Sequence, residues 1–423
     1  MIDWNKVAIG ALLVGAAAYG LHRVRRHRPP APPPPPPPPP APPSEDPPPV
    51  TVPSAPAPTL TQPQPIAEQP IARTATTFLR GANLAGGDTL WSTWPTDGSG
   101  PVSGTHYQFV GSRDVDYLVD RGFDVFRVLF AWEALQPAPY ARIPSGPPAH
   151  TTYAERLFAL VDYITRVKDK TVLLDVHGGD DSTFAAYRGV RVGKNYQGYA
   201  IDDMLCDLWW QLAQRYKGDE RVMFGITNEP AWIPTVTWFA CAQRIVDAIR
   251  STGAKNVIVM PGDHFTGAGS WTDNSMDVGV PKRSNAWGWE NARGPGQALE
   301  DPLGRTWVQV HLYLDQDAGG GTEQVLSPTI GVERLSRVVD WARGRGLQVF
   351  VGEVGLSAKS PIAAEAWRRL AEYMDQSRNV VRGFAWWAYG VPSWWGGYRF
   401  ALAPPDEGYA EDSAQMRLIT GLA

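Results

Sequence analysis

The stretch Val222–Pro230 reads VMFGITNEP, an apolar run that ends in two polar residues and a proline. A short run of this kind, rich in β-branched and aromatic residues, is typical of a strand buried on both faces of a parallel sheet. We therefore predict a strand over Val222–Thr227, with Asn228 and Glu229 at its carboxyl end.

Seven similar runs lie on either side of it, and each is followed by helical periodicity or a long loop. Eight buried strands that alternate with helices in about 350 residues favour an α/β fold of the (β/α)8 TIM-barrel type. An open doubly wound sheet is the alternative, but no GxGxxG or GxxxxGK[ST] motif follows the first strand. The other predicted strands are Phe78–Leu84, Val125–Phe130, Thr171–His177, Asn256–Gly262, Thr306–Tyr313, Val349–Gly355 and Val381–Ala388, and the predicted helices include Tyr153–Lys168, Asp202–Lys217, Val236–Thr252, Val332–Arg345 and Ala363–Gln376.

The N-terminal part of the 423-residue chain differs in composition from the rest. Of the 40 prolines, 22 fall between Pro29 and Pro70, whereas 17 of the 18 tryptophans lie between Trp91 and Trp395. Proline runs cannot form a helix or a sheet interior, so we predict an extended polyproline II linker over residues 29–72. A disordered tail without a spacer role is the alternative. The barrel domain is predicted over residues 73–423.

Residues 1–28 are predicted to contact a membrane. Their uncharged run Val7–Leu21 has 15 residues, which is short for a membrane span of roughly 20. We interpret it as a single-span anchor, with two alternatives: a cleaved signal peptide with its site at Ala16–Ala18, and an apolar terminus without either role. The basic cluster Arg23–Arg28 opposes export, because positive charge tends to stay cytoplasmic. We expect a membrane-anchored, secreted or periplasmic protein and leave its orientation open.

Charge and cysteine content exclude several other classes. The formal net charge of −4 argues against a general affinity for nucleic-acid phosphates. Two cysteines, Cys206 and Cys241, cannot form a disulfide framework, and no CxxC or Cys/His cluster indicates a structural metal. We expect no metal, no cofactor and no nucleic-acid partner, and a monomeric protein.

Polar and ionisable residues stand at the carboxyl ends of most predicted strands, where TIM barrels carry their catalytic groups. Packing alone does not explain so many, because a buried charge is costly unless it is paired. Glu229 and Glu353 end the fourth and seventh strands, on opposite sides of the barrel. Two carboxylates at one mouth repel unless one is protonated, so this pair predicts an acid and a nucleophile. The strand-end residues are Asn83, Arg127, His177, Asn228, Glu229, His311, Tyr313, Glu353, Trp386 and Trp387.

The motifs around these residues are RGANLAG at Arg80–Gly86, WEALQP at Trp132–Pro137, LDVH at Leu174–His177, FGITNEP at Phe224–Pro230, VHLYLD at Val310–Asp315, Gly352–Glu353, and WAYG at Trp387–Gly390. In this order and spacing they resemble family 5 glycoside hydrolases, the cellulase family, over roughly residues 78–408. The resemblance is closest to the endo-β-1,4-glucanase branch.

The resemblance implies a role for each residue. Glu353 is expected to be the nucleophile of a retaining mechanism, and Glu229 the proton donor that later acts as a base. Arg127 and Tyr313 are expected to hold and orient Glu353, and Asn228 to contact a sugar hydroxyl. His177, His311 and Trp387 are the other residues implied to bind substrate. Four tryptophans in loops after strand ends are expected to line a groove, namely Trp132, Trp271, Trp394 and Trp395.

Two positions depart from the family pattern after the fifth strand, where Asp263 and Phe265 replace an expected Asn and Trp. Tryptophans in predicted helices are expected in the core instead of the substrate groove. These are Trp209, Trp210, Trp341 and Trp367.

Together the residues predict an endo-1,4-β-glucanase that acts on a polysaccharide without a metal. A mannanase or another β-glucanase is the alternative within this class, since these enzymes share the catalytic frame and differ in their groove loops. The alternative from another class is a glycan-binding barrel without activity, and the presence of both glutamates argues against it.

Overall fold

Eight parallel strands close into a barrel in a computed structural model that describes residues 78–88, 100–144, 152–177 and 184–421. Each strand pairs with its neighbours in sequence, and the first closes on the eighth through pairs such as Leu79 with Gly383. The predicted (β/α)8 barrel is therefore confirmed. The strands are β1 Leu79–Leu84, β2 Val125–Phe130, β3 Thr171–Val176, β4 Val222–Gly225, β5 Ile258–Pro261, β6 Thr306–Tyr313, β7 Val349–Gly355 and β8 Val381–Tyr389.

The barrel interior has an apolar lower layer and a polar upper layer. Side chains two residues apart on a strand point to the same face, so Val125 and Arg127 of β2 both point inward, as do Leu173 and Asp175 of β3. The lower side chains form one buried cluster, which we call the barrel floor. Its strand residues are Val125, Leu173, Met223, Val259, Phe350 and Ala385.

Helices and loops connect the strands around the outside. The helix Tyr153–Asp162 starts at a capping box between Thr152 and Glu155 and continues as a π-helix to Val167. The helix Ser112–Val119 was not among those predicted. The other helices are Trp132–Leu135, Ile201–Tyr216, Thr235–Ser251, Asn285–Glu290, Ile330–Arg343, Ala363–Gln376, Pro392–Trp395 and Ala414–Thr420.

The helical tryptophans test the predicted core. Trp209, Trp341 and Trp367 are buried, as predicted. The prediction for Trp210 is wrong, because its side chain is 43% exposed. Adjacent helical residues lie about 100° apart around the axis, so the face that buries Trp209 leaves Trp210 near solvent.

No helix among the described residues is long and apolar enough to cross a membrane. The predicted membrane segment 1–28 and the Pro-rich linker 29–72 lie outside the described residues, and both stay predictions. Cys206 and Cys241 lie on the successive helices Ile201–Tyr216 and Thr235–Ser251 and are free thiols.

Candidate active site

The guanidinium of Arg127 forms the centre of the polar upper layer. Its side chain is fully buried and donates from Nη1 to Glu353 Oε1 at 2.7 Å and to Asn83 Oδ1 at 2.8 Å. From Nη2 it donates to Asp175 Oδ2 and Asn228 Oδ1, both at 2.8 Å. A buried charge needs such partners, and here they come from four different strand ends. Arg127 therefore fixes the relative positions of these side chains.

Glu353 is held by donors on both carboxylate oxygens. Besides the Arg127 contact, the Tyr313 hydroxyl donates to Oε2 at 2.5 Å, and His311 Nδ1 lies 3.4 Å from the same oxygen. The strand register brings these groups together, because His311 of β6 pairs with Glu353 of β7. The glutamate is 3% exposed. Hydrogen bonds of this kind hold the carboxylate in one orientation.

Glu229 has a different environment. Its backbone lies in the left-handed region at φ 42°, which is uncommon for a residue with a Cβ and typical of functional sites. Its side chain is 20% exposed and hydrogen-bonds to His311 Nδ1 at 2.7 Å. Burial raises the pKa of Glu229 to about 7. At neutral pH this carboxyl can therefore both donate and accept a proton.

His311 links Gln309 to Glu229. Burial lowers the pKa of His311 to about 3, which favours the neutral imidazole. The amide nitrogen of Gln309 lies 3.1 Å from His311 Nε2, and if this amide donates there, the ring proton is on Nδ1, 2.7 Å from Glu229 Oε1. Gly352 leaves room for that amide, since a Cβ at this position would lie 2.8 Å from Gln309 Nε2.

The two carboxylates face each other at short range. One oxygen of Glu229, one of Glu353 and a nitrogen of His311 lie within 4.8 Å of one another. One carboxyl has a raised pKa and the other has a cation and a hydroxyl bonded to it. When the two carboxyl groups of a pair have such different surroundings, one can act as the acid and the other as the nucleophile.

An aromatic wall stands beside the pair. His177 stacks on Trp387 with centroids 5.3 Å apart and planes at 16°, and its Nδ1 bonds Asp175 Oδ2 at 3.1 Å. Trp387 is half-buried and therefore accessible to a ligand, whereas Trp395 is 8% exposed and packs edge-on against it. Trp394 is also half-buried.

The predictions that Trp132 and Trp271 line the substrate groove are wrong. Trp132 is 1% exposed, and Trp271 is fully buried and packs against Trp341 at a centroid distance of 5.5 Å. Two short 3-10 turns after β5, His264–Thr266 and Ala268–Ser270, turn the chain back towards the helix Ile330–Arg343. The loop position that suggested a groove residue is thus folded inward.

Residues 92–390 match the family described as Cellulase (glycosyl hydrolase family 5). The chain belongs to glycosyl hydrolase family 5. A family 5 relative, Endoglucanase 1 of Robillarda sp., is 31% identical over 334 residues, which cover 76% of this chain and 80% of the relative. The endo-β-1,4-glucanase Xac0029 from Xanthomonas axonopodis pv. citri has a solved structure that is 29% identical, with a TM-score of 0.70, covering 82% of this chain and 98% of that one.

A second solved structure, XacCel5A in complex with cellopentaose, is also 29% identical. Its TM-score is 0.69, and the match covers 82% of this chain and 99% of that one. The family predicted from the strand-end motifs is therefore confirmed.

Two site residues of this family 5 barrel were missed as such in the sequence. Asp175 bonds both Arg127 and His177, and its signal was its place two residues before His177, which puts both side chains on the inward face. Gln309 stands in the same relation to His311. In each case, the signal in the sequence was a polar residue two positions before a candidate histidine, on the same inward face of the strand.

Two clusters among the described residues have ligand atoms close enough to hold a cation. One is Glu229, His311 and Glu353, and the other is Asp263, His264 and Asp277. In the first cluster, His311 Nδ1 accounts for the short distances, because it hydrogen-bonds Glu229 at 2.7 Å and lies 3.4 Å from Glu353. That the reaction needs no metal stays a prediction.

Proposed function

We propose that this family 5 protein is a retaining endo-β-1,4-glucanase that cleaves internal bonds of cellulose-type glucans. The observation that carries the proposal is the short separation of Glu229 and Glu353, with one oxygen of each within 4.8 Å. Retaining pairs stand about 5–5.5 Å apart, whereas inverting pairs need about 6.5–9.5 Å to admit a water. The relatives named endoglucanase support the substrate class.

Glu353 is the nucleophile in this proposal. A carboxylate oxygen attacks the anomeric carbon, the bond from that carbon to the glycosidic oxygen breaks, and its electron pair leaves with the oxygen. Arg127 and Tyr313 support this role, because their hydrogen bonds hold the carboxylate in one orientation before attack. The product of this step is a glycosyl ester on Glu353.

Glu229 is the proton donor and then the base. Its raised pKa keeps a proton available at neutral pH for the leaving oxygen. Once that proton is lost, the same carboxylate takes one from a water that attacks the anomeric carbon and releases Glu353. Both attacks occur on the same carbon from opposite faces, so the configuration is retained.

Three side chains are proposed to bind the reactive sugar. Arg127 occupies the Asn228 oxygen, which leaves the Asn228 amide hydrogens for a sugar hydroxyl. His177 is held by Asp175 and can contact a second hydroxyl. Trp387 offers a flat apolar ring to the C–H face of the pyranose. Trp394 is proposed to extend this wall, with Trp395 bracing Trp387 from behind.

A substrate panel tests the proposal. Carboxymethyl-cellulose, mixed-linkage glucan, mannan and xylan are incubated with the enzyme, product sizes are measured, and the anomeric form first released is determined by NMR. We expect cleavage of carboxymethyl-cellulose into a range of oligosaccharides with the β-anomer released first. Preferential cleavage of mannan or of mixed-linkage glucan would contradict the substrate, and an α-anomer would contradict the mechanism.

The N-terminal residues are proposed to tether a monomeric catalytic barrel to a membrane, through an anchor at 1–28 and a linker at 29–72. The support is compositional, since Val7–Leu21 is uncharged and the next segment is proline-rich. A protein starting at Thr74 should fold and keep full activity on carboxymethyl-cellulose, because β1 begins at Leu79. An insoluble or inactive truncated protein would show that the removed segment packs on the barrel.

A further inference from the structure

A buried cluster of two aspartates and a histidine lies in the loop that follows β5. One oxygen of Asp263, one oxygen of Asp277 and a nitrogen of His264 lie within 4.8 Å of one another. Asp263 is 1% exposed, Asp277 2% and His264 5%. We call these three residues the Asp–His cluster. It shares no residue with the carboxylate pair at the mouth of the barrel, so it is a separate feature of the molecule.

The two carboxylates of the cluster lack a basic partner. Among the described residues, no lysine or arginine forms an ion pair with either of them, and His264 alone lies within ion-pair distance of Asp263. Burial raises the pKa of Asp263, as expected for a carboxylate without a nearby cation. The buried side chain of Asp301 differs, because Arg250 donates to both of its oxygens at 2.8 Å. Buried charges are paired or coordinate metals, so the cluster needs a positive charge.

Hydrogen-bond acceptors outnumber donors at the centre of the cluster. The Thr235 hydroxyl oxygen lies 3.1 Å from Asp263 Oδ2, 3.1 Å from His264 Nε2 and 3.3 Å from the Arg283 carbonyl oxygen. Its single hydrogen can bond only one of these three acceptors. The other oxygen of Asp263, Oδ1, is buried without a hydrogen-bond partner in the described part of the chain. A cation satisfies several converging lone pairs at once, which one hydroxyl hydrogen cannot do.

The backbone holds Asp277 in the orientation of a ligand. Its Oδ1 accepts from the amides of Thr235 at 3.1 Å and Gly279 at 2.8 Å, and its Oδ2 accepts from the Arg283 amide at 2.8 Å. An ionised carboxylate has about four lone-pair sites, so one site on Oδ2 is left for a metal. Carboxylates that bind metals are commonly oriented by such hydrogen bonds.

The types of ligand indicate which cation fits. Calcium and magnesium take oxygen ligands, whereas an imidazole nitrogen with carboxylate oxygens suits zinc. Two carboxylates and a neutral imidazole also balance the two charges of a zinc ion. Ligand atoms at about 2.0–2.2 Å from a tetrahedral zinc lie about 3.3–3.6 Å apart. The distance of 3.1 Å between Asp263 Oδ2 and His264 Nε2 is close to that range.

We propose that Asp263, His264 and Asp277 bind one zinc ion, which fastens the loop after β5 to the start of the helix Thr235–Ser251. Thr235 links the two elements, because its amide bonds Asp277 and its hydroxyl contacts Asp263. The ion stabilises the folded barrel, since the three ligands come together only in the folded chain. This site contains no cysteine, unlike the Cys/His clusters sought in the sequence, and it takes no part in the proposed reaction.

The first measurement uses the full-length protein without an affinity tag. The protein is stripped with EDTA and dialysed against zinc chloride, and bound zinc is measured by mass spectrometry after gel filtration. Thermal unfolding is followed with zinc chloride, with calcium chloride and without added metal. We expect one zinc per chain and a midpoint of unfolding raised by at least about 3 °C when zinc is about 100 times its Kd. Calcium should leave the midpoint unchanged.

Two variants remove a ligand with little disturbance of the fold. Asp263→Asn introduces the residue that the family pattern has at this position, and His264→Asn suits the left-handed backbone there, at φ 57°. Both should lose the bound zinc and the zinc-dependent rise of the midpoint.

Two control variants should keep the zinc. Asp301→Asn removes a buried carboxylate paired with Arg250, so it lowers the midpoint without affecting the metal. Glu353→Gln removes a member of the other group of possible ligands, at the mouth of the barrel.

A wild-type protein that retains less than about 0.2 zinc per chain would overturn the proposal, as would full retention of zinc by both ligand variants. Zinc that is lost in Glu353→Gln but kept in His264→Asn would place the ion at the carboxylate pair instead. Bound zinc that leaves the unfolding midpoint unchanged would contradict the fastening role, and stabilisation by calcium in place of zinc would contradict the choice of metal.

Discussion

Glu353 and Glu229 are the same chemical group in two environments a few ångströms apart. Glu353 is 3% exposed and accepts from Arg127 on one oxygen and from Tyr313 on the other. Glu229 is half-buried, bonds His311 and has a raised pKa. The difference teaches that the number and charge of the donors decide the role of a carboxyl more than its depth does. Glu353 is the deeper of the two, yet it has the cation that stabilises its charge.

Replacing Glu353, the carboxylate that accepts from both Arg127 and Tyr313, should have the largest effect. Glu353→Gln cannot form the glycosyl ester, so kcat on every substrate should fall by at least about 10⁴-fold. Binding of cellopentaose, measured by calorimetry, should be largely kept. Glu372→Gln, on an exposed helix position, is the control and should match wild type. Substantial turnover by Glu353→Gln would show that another group forms the covalent bond.

Replacing Glu229 should give a loss of activity whose size depends on the leaving group of the substrate. Glu229→Gln should lose about 10²–10⁴-fold on carboxymethyl-cellulose, because the leaving oxygen is no longer protonated. Dinitrophenyl β-cellobioside needs little protonation, so its first step should be nearly normal and the ester on Glu353 should accumulate, as seen by mass spectrometry.

Azide attacks the ester without a base and should restore turnover of Glu229→Gln with a β-glycosyl azide as product. An α-glycosyl azide, or an adduct on Glu229 in the wild-type enzyme, would mean that the two roles are exchanged.

Weakening the support of Glu353 should have an intermediate effect. Tyr313→Phe keeps the ring and removes the hydroxyl that donates to Oε2, so we expect kcat on dinitrophenyl β-cellobioside to fall about 10–100-fold. Tyr389→Phe, which loses a hydroxyl bonded to Asp114 away from the carboxylate pair, is the control for removing a buried phenol oxygen. Equal losses in both variants would point to a general packing effect.

The pH profile tests Glu229 directly, and within one pH unit above neutrality it should show the smallest change. Since the pKa of Glu229 is raised to about 7, kcat/KM on cellopentaose should fall above pH 7 as the proton is lost, by about tenfold per pH unit. In Glu229→Gln, the profile on dinitrophenyl β-cellobioside should lack this basic limb. A basic limb that persists near pH 7 in that variant would assign it to another group.

The sequence predicted the parts of the site that strands determine. Strand periodicity sets which residues point inward and where each strand ends. This was sufficient to place Glu229, Glu353 and Arg127 at the mouth of the barrel. Loops have no such period, so the burial of Trp271 could not be inferred from its position after β5. The contact between Phe184 and Phe265 could not be inferred for the same reason, because these residues are 81 positions apart and meet only through the path of two loops.

The barrel floor has a consequence for the second half of the reaction. Its side chains are all buried, with Val125, Phe350 and Ala385 at 0% exposure, and they fill the barrel interior beneath the carboxylates. In the proposed mechanism, water would therefore reach the glycosyl ester from the mouth of the barrel, through the cleft that the departing chain vacates. The entry of water and the release of the first product then use the same cleft, so a second sugar chain bound there would compete with water for the ester.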